Sequence, residues 1–141
     1  MKYYVVIDTN VLVSAMLKWD SVPGAVMSLV FDGPIIPVLN DAILKEYREV
    51  LSRPKFRFTA GIVDAVLQAF QTNGLFVDAE PQTVALPDPK DLVFYEVVME
   101  ERKTRDSYLV TGNIRHFPAE PFIVTPRQLL DRMLAEENEQ A

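Results

Sequence analysis

Three short segments place polar or acidic side chains where an apolar run stops, and a fourth sets two aspartates around a turn. Asp8, Thr9 and Asn10 follow Tyr3-Tyr4-Val5-Val6-Ile7, and Asn40 and Asp41 follow Ile35-Ile36-Pro37-Val38-Leu39, with Glu46 a little further on. Asp88 and Asp91 bracket Pro89-Lys90, and Thr111, Gly112 and Asn113 close the run that begins at Ser107. Several acids facing one pocket need a counter-charge. The chain has no cysteine and one histidine, His116. That excludes thiol catalysis, disulfide scaffolds and zinc sites built from Cys and His clusters. For oxygen donors alone, the natural counter-charge is a hard divalent cation, Mg2+ or Mn2+.

These residues depend on the elements that carry them. Tyr3–Ile7 is short, aromatic and β-branched, which predicts a strand buried on both faces, as in a parallel sheet. Asn10 is placed to cap a helix with Val11, Leu12, Ala15 and Met16 at helical spacing. A second helix runs from Pro23 through Val30 to Gly33-Pro34. The next strand, 35–39, carries Pro37, which suggests a less central place. Asn40 or Asp41 caps an amphipathic helix with Ile43, Leu44, Tyr47, Val50 and Leu51 inward, stopped by Pro54. A further helix spans Ile62 to Phe70 and ends at Asn73-Gly74. Residues 75–77 form a short strand, and 78–89, with three prolines, a loop. Lys90 to Arg102 is a helix, 107–111 and 122–124 are strands, and Pro126 opens a last helix to Leu134. The Glu-rich tail from about 135 is expected to fray.

Short apolar strands alternating with helices predict an α/β fold, a three-layer α/β/α sandwich around a parallel sheet of about four to five strands. Ligands in such sheets bind beyond the carboxyl ends of the strands, where the strand order reverses. The 141 residues, 49% apolar and 24% charged, make a single domain, 1–141. No apolar run is long enough for a membrane span, and Asp8 comes too early for a secretory signal, so the expected location is cytoplasmic. The net charge is −6, from 14 basic and 20 acidic residues, which disfavours a protein that holds duplex DNA by its overall field.

The segments 6–14 (Val-Ile-Asp-Thr-Asn-Val-Leu-Val-Ser), 44–51 (Leu-Lys-Glu-Tyr-Arg-Glu-Val-Leu), 88–91 (Asp-Pro-Lys-Asp) and 108–113 (Tyr-Leu-Val-Thr-Gly-Asn) resemble the PIN-domain family. They are most similar to its VapC-type bacterial toxin ribonucleases. The resemblance implies an Mg2+- or Mn2+-dependent endoribonuclease that cleaves RNA by metal-activated water. It also implies a cognate antitoxin and a homodimer or higher homo-oligomer. Carried over by position, the metal-site residues are Asp8, Glu46 and Asp91, with Asn113 as the fourth and Asp88 as helper. The family's commonest pattern has Asp at the fourth position. An Asn carbonyl ligates Mg2+ without adding charge, so the alternative implied is a catalytically weakened RNA- or protein-binding module. Asp88 and Asp106 are the acids expected to compensate. Thr9, Asn10, Ser14 and Thr111 are expected to orient the carboxylates or bound waters.

Each of these residues also has a plainer reading. Asp8 and Asp91 can cap helices, Glu46 can be a solvated helix residue with Glu49 as its equal, and Asn113 can be a turn residue. His116 reads as a loop hydrogen-bonder, and Trp19 as either a partner contact or a cover for the core. Arg48, Arg53, Lys55 and Arg57 interleave with Phe56 and Phe58 and are candidate RNA contacts. Arg102, Lys103 and Arg105 form a second basic strip. A phosphoacceptor receiver would need an acidic pair after the first strand and a lysine after the last, and neither is present. A dinucleotide-binding fold would need a glycine fingerprint, also lacking.

Overall fold

A computed structural model describes residues 2–140. Five strands, β1 (Tyr3–Ile7), β2 (Ile35–Leu39), β3 (Leu75–Phe76), β4 (Ser107–Val110) and β5 (Ile123–Val124), form one parallel sheet in the order β3-β2-β1-β4-β5. The helices are α1 (Thr9–Leu17), α2 (Val22–Asp32), α3 (Asp41–Leu51), α4 (Ala60–Asn73), α5 (Leu92–Arg102) and α6 (Pro126–Gln140). Helix α2 packs with α1 and α6, while α3, α4 and α5 pack together. Tyr47, Phe70 and Phe94 pin the latter three, with ring centroids 5.1 Å and 6.4 Å from Tyr47. The result is the expected α/β sandwich. Among the described residues no helix is long and apolar enough to cross a membrane.

β1 is the middle strand, and Val5, Val6 and Ile7 are fully buried. A strand covered on both faces reads as an unbroken apolar run. Proline in β2 is tolerated for a local reason. The Val77 amide donates to the Leu39 carbonyl at 3.0 Å, so the odd residues of β2 turn their backbone toward β3. β3 pairs only with Val38 and Leu39, so Pro37 lacks an amide where no partner strand has begun. β2 is therefore an inner strand that behaves like an edge at that residue. Gly33 ends α2 in the left-handed region at φ 105°, its amide on the Leu29 carbonyl.

Two local expectations are corrected. Helix α1 begins at Thr9, so Asn10 lies within it and does not cap it. The helix expected from Lys90 starts at Leu92, after a 3-10 turn over Pro89–Asp91 capped by the Asp88 side chain on the Lys90 amide. Helix α6 continues past Leu134 to Gln140. Its buried Leu129 and Met133 set the helix against the sheet, and the Glu-rich residues extend it. Trp19 is half exposed and stacks on Phe31 at 5.8 Å.

Candidate active site at the strand-order reversal

The chain runs from β1 outward to β2 and β3, then returns to β4 and β5 on the other side. The reversal lies between β1 and β4, and Asp8 and Thr111 are the first residues beyond them. The Asp8 amide donates to the Val110 carbonyl at 3.0 Å, which extends the pairing by one residue. The Thr111 hydroxyl donates to Asp8 Oδ2 at 2.8 Å, and Asn10 Nδ2 donates weakly to the same oxygen at 3.4 Å. Asp8 occupies the N-cap position of α1, yet its side chain makes no capping bond. Its carboxylate is spent on the strand-end side.

Helix α3 delivers Glu46. Ile43, Tyr47 and Leu51 are its buried stripe, and the Tyr47 hydroxyl donates to the Ile7 carbonyl, the residue before Asp8. That bond ties the helix to the end of β1. Glu46, next to Tyr47, then reaches Thr9, whose hydroxyl donates to Glu46 Oε2 at 2.5 Å. Asn40 caps α3 on the Ile43 amide and takes no part in the cleft.

The cleft holds about 400 Å³ and is lined by Asp8, Thr9, Asn10, Ser14, Glu46, Asp88, Asp91 and Asn113, among others. Thr111 lies beneath it, fully buried. Its hydroxyl also accepts the Asn113 amide at 3.0 Å, and the Gly112 amide donates to Asn10 Oδ1 at 3.0 Å. Asn113 itself is exposed. Residues from sequence segments far apart thus share one cavity.

The electrostatics of this cavity are those of crowded acids. Burial, with the nearby charges of Asp91 and Glu46, pushes the Asp8 carboxyl up from an ordinary 3.8 to about 6, against the lowering effect of the Thr111 hydroxyl. Burial also raises Asp91, aided by Asp88 and opposed by His116, whose Nδ1 lies 3.2 Å from Asp91 Oδ2. Among the described residues no group of three or more His, Asp or Glu side chains is gathered closely enough to hold a metal ion. Each acid has its own partner: Thr9 holds Glu46, His116 holds Asp91 and Thr111 holds Asp8. By donor type and charge the set fits a hard divalent cation, which would offset the repulsion that raises Asp8. Shared coordination needs the acids to turn toward one another.

Other expected residues lie elsewhere. Asp106 sits at the amino end of β4, a four-residue strand that spans about 13 Å, and pairs with Arg102 at 3.9 Å. It cannot supplement the cleft. Glu49 faces an adjoining cavity, so it is not the equal of Glu46. Arg48 pairs with Asp64 at 2.8 Å on an exposed face, and of the four basic candidates only Arg53 lines the cleft. Lys55 lies 5.1 Å from the Phe56 ring centroid, and Arg57 ends a 3-10 turn at φ 59°. The second basic strip is engaged internally. Arg102 donates to the Ser107 carbonyl, Lys103 pairs with Glu80 and Glu100, and Arg105 pairs with Glu101. Lys90, Phe56 and His116 line the cleft without having been assigned to it from sequence. Lys90 lies between two of the candidate acids in the sequence, and that adjacency was the available signal.

The sequence matches the family model described as PIN domain over residues 4–115. The uncharacterized protein MJ1680 of Methanocaldococcus jannaschii is 28% identical over 116 residues, which cover 80% of this chain and 72% of that one. No solved structure matches the chain.

Proposed function

The chain belongs to the PIN-domain family, and from that premise we propose that its cleft is the active site of a divalent-metal-dependent endoribonuclease. PIN domains are generally nucleases that use divalent metal ions. The observation that carries the reading is Asp8, a carboxylate at the strand-order reversal whose pKa is raised by its burial and then by Asp91 and Glu46. A structural acid would be paired with a base, and among the described residues Asp8 has no such partner.

In this reading Asp8, Glu46 and Asp91 hold the ion, with Asn113 and Asp88 at its margin. When bound, the ion supplies Lewis acidity toward the phosphoryl group and a more acidic water. The protein's own part is orientation. Thr111 fixes one oxygen of Asp8, Thr9 aims Glu46 and His116 aims Asp91, while Asn10 and Ser14 line the approach. The test is incubation with RNA in Mn2+. Cleavage that EDTA and Asp8→Asn both abolish supports the enzyme.

A second reading is favoured by Asn113 and by the separation of the acids: a PIN-like module that binds RNA or protein and does not cut. RNA retained intact at high Mn2+ selects it. The finer assignment, a cytoplasmic toxin component held by a cognate antitoxin and working as a homodimer, is supported by the four motif segments. Co-expression with the adjoining reading frame should neutralise growth arrest by the wild-type chain, and sedimentation gives its oligomeric state.

A further inference from the structure

Beside the acid cleft lies a second cavity of about 240 Å³, and the two share Glu46, Val50, Arg53 and Lys90. They form one groove with two ends. The inner end is acidic. The outer end adds Lys45 and Glu49, whose charges offset, and shared Glu46, Arg53 and Lys90 stand at the junction of the two. Among the described residues neither Arg53 nor Lys90 makes an ion pair, whereas Arg48, Arg102, Lys103 and Arg105 are all paired. Arg53 follows α3 and Lys90 lies in the turn before α5, so the two cations come from separate elements to line the same stretch.

We propose that Arg53 and Lys90 bind the phosphodiester neighbouring the one that reacts, so that the site takes a single polynucleotide strand that passes out of the cleft along this groove. The inference rests on the nuclease reading and adds which part of the substrate is held. A charged arginine and lysine at the junction suit a phosphate by charge and by the guanidinium's paired donors. The acids that line the inner end alone, Asp8, Asp88 and Asp91, repel a bare phosphate and admit one only with a cation, while the cations at the junction accept the next phosphate directly. A mononucleotide has no second phosphodiester with which to use the junction, and a longer strand does.

The experiment is fluorescence anisotropy with a labelled ten-nucleotide single-stranded RNA, in EDTA, so that binding is read without cleavage. Three proteins are compared: wild type, R53Q/K90Q, and K2Q/K18Q, which removes two exposed charges elsewhere. R53Q/K90Q should raise Kd by about tenfold and reduce the slope of log Kd against log salt by roughly 0.7 to 1.4. K2Q/K18Q should stay within about twofold of wild type. Equal loss in both variants, or no loss in R53Q/K90Q, overturns the proposal, and so does wild-type protein that fails to bind the RNA. R53K/K90R should regain most of the affinity, which separates lost charge from lost fold. The two readings fail separately: wild type that binds through Arg53 and Lys90 yet never cuts in Mn2+ removes the nuclease, and wild type that cuts with R53Q/K90Q unimpaired removes the groove. The same oligomer as DNA reports whether the sugar contributes.

Discussion

The Thr111 hydroxyl donates to Asp8 Oδ2 at 2.8 Å, joining residues 103 positions apart at the ends of neighbouring strands. It both holds the carboxylate and opposes the rise in its pKa. Thr111→Val should cost about 1–2 kcal/mol of stability through the lost bond. It should also move the acid limb of the pH–activity profile to higher pH, because Asp8 loses the donor that favours its charged form. Thr111→Ser should restore both. Urea unfolding and a pH–rate profile give the two readings.

Asp8 should weaken the metal-free fold at neutral pH. Its ordinary value is 3.8 and in the folded chain it stands at about 6. Below about pH 3 the carboxyl is protonated in folded and unfolded chains alike, so it costs nothing. From about pH 4 to 6 the unfolded chain ionises Asp8 while the folded chain still holds its proton, and stability falls as pH rises. The full penalty above pH 6 is on the order of 3 kcal/mol. Asp8→Asn should therefore melt no lower than wild type in EDTA at pH 7, with a gain of about 1–3 kcal/mol, and the gain should vanish by about pH 3. A lower melting temperature at pH 7 would make Asp8 a structural residue.

Mn2+ or Mg2+ should raise the melting temperature of the wild type at pH 7. Tenfold excess over Kd is worth about 1.4 kcal/mol. The increment should shrink below pH 6, where protons compete for Asp8, and Asp8→Asn should show little of it. Thermal melts across a metal titration at pH 5 and pH 7 measure this.

Asn113→Asp should add the missing negative charge beside Asp8, at an exposed position where the side chain can be changed without repacking. Half-saturation by Mn2+ should fall about tenfold, and metal-free stability should drop through added repulsion. Unaltered metal dependence would place residue 113 outside the ion's reach and leave it as a turn residue.

Much of this architecture is legible in the residues themselves. An apolar run such as Val5-Val6-Ile7 that ends abruptly in Asp states both that the strand is covered on two faces and where its carboxyl end lies. Helical spacing at Ile43, Tyr47 and Leu51 shows which side of α3 is inward, and Glu46 beside that stripe reaches the acid cleft while Glu49 lines only the cavity next to it. What the pattern does not contain is contact across the fold. Nothing near Asp8 says that its side chain bonds Thr111 and leaves its own helix uncapped, or that the Tyr47 hydroxyl reaches the Ile7 carbonyl. The misplacement of Asp106 has the same origin: proximity to Thr111 in sequence became a strand's length in space.

The position of β1 between β2 and β4 has a consequence for synthesis. β1 leaves the ribosome early, but the partner that completes Asp8's surroundings emerges about a hundred residues later. Until β4 docks, a nascent chain has an acid without Thr111 beneath it and no cavity to share with Asn113. Closing so long a separation is also a slow, late event in folding. The cleft is thus assembled only after most of the chain has been made.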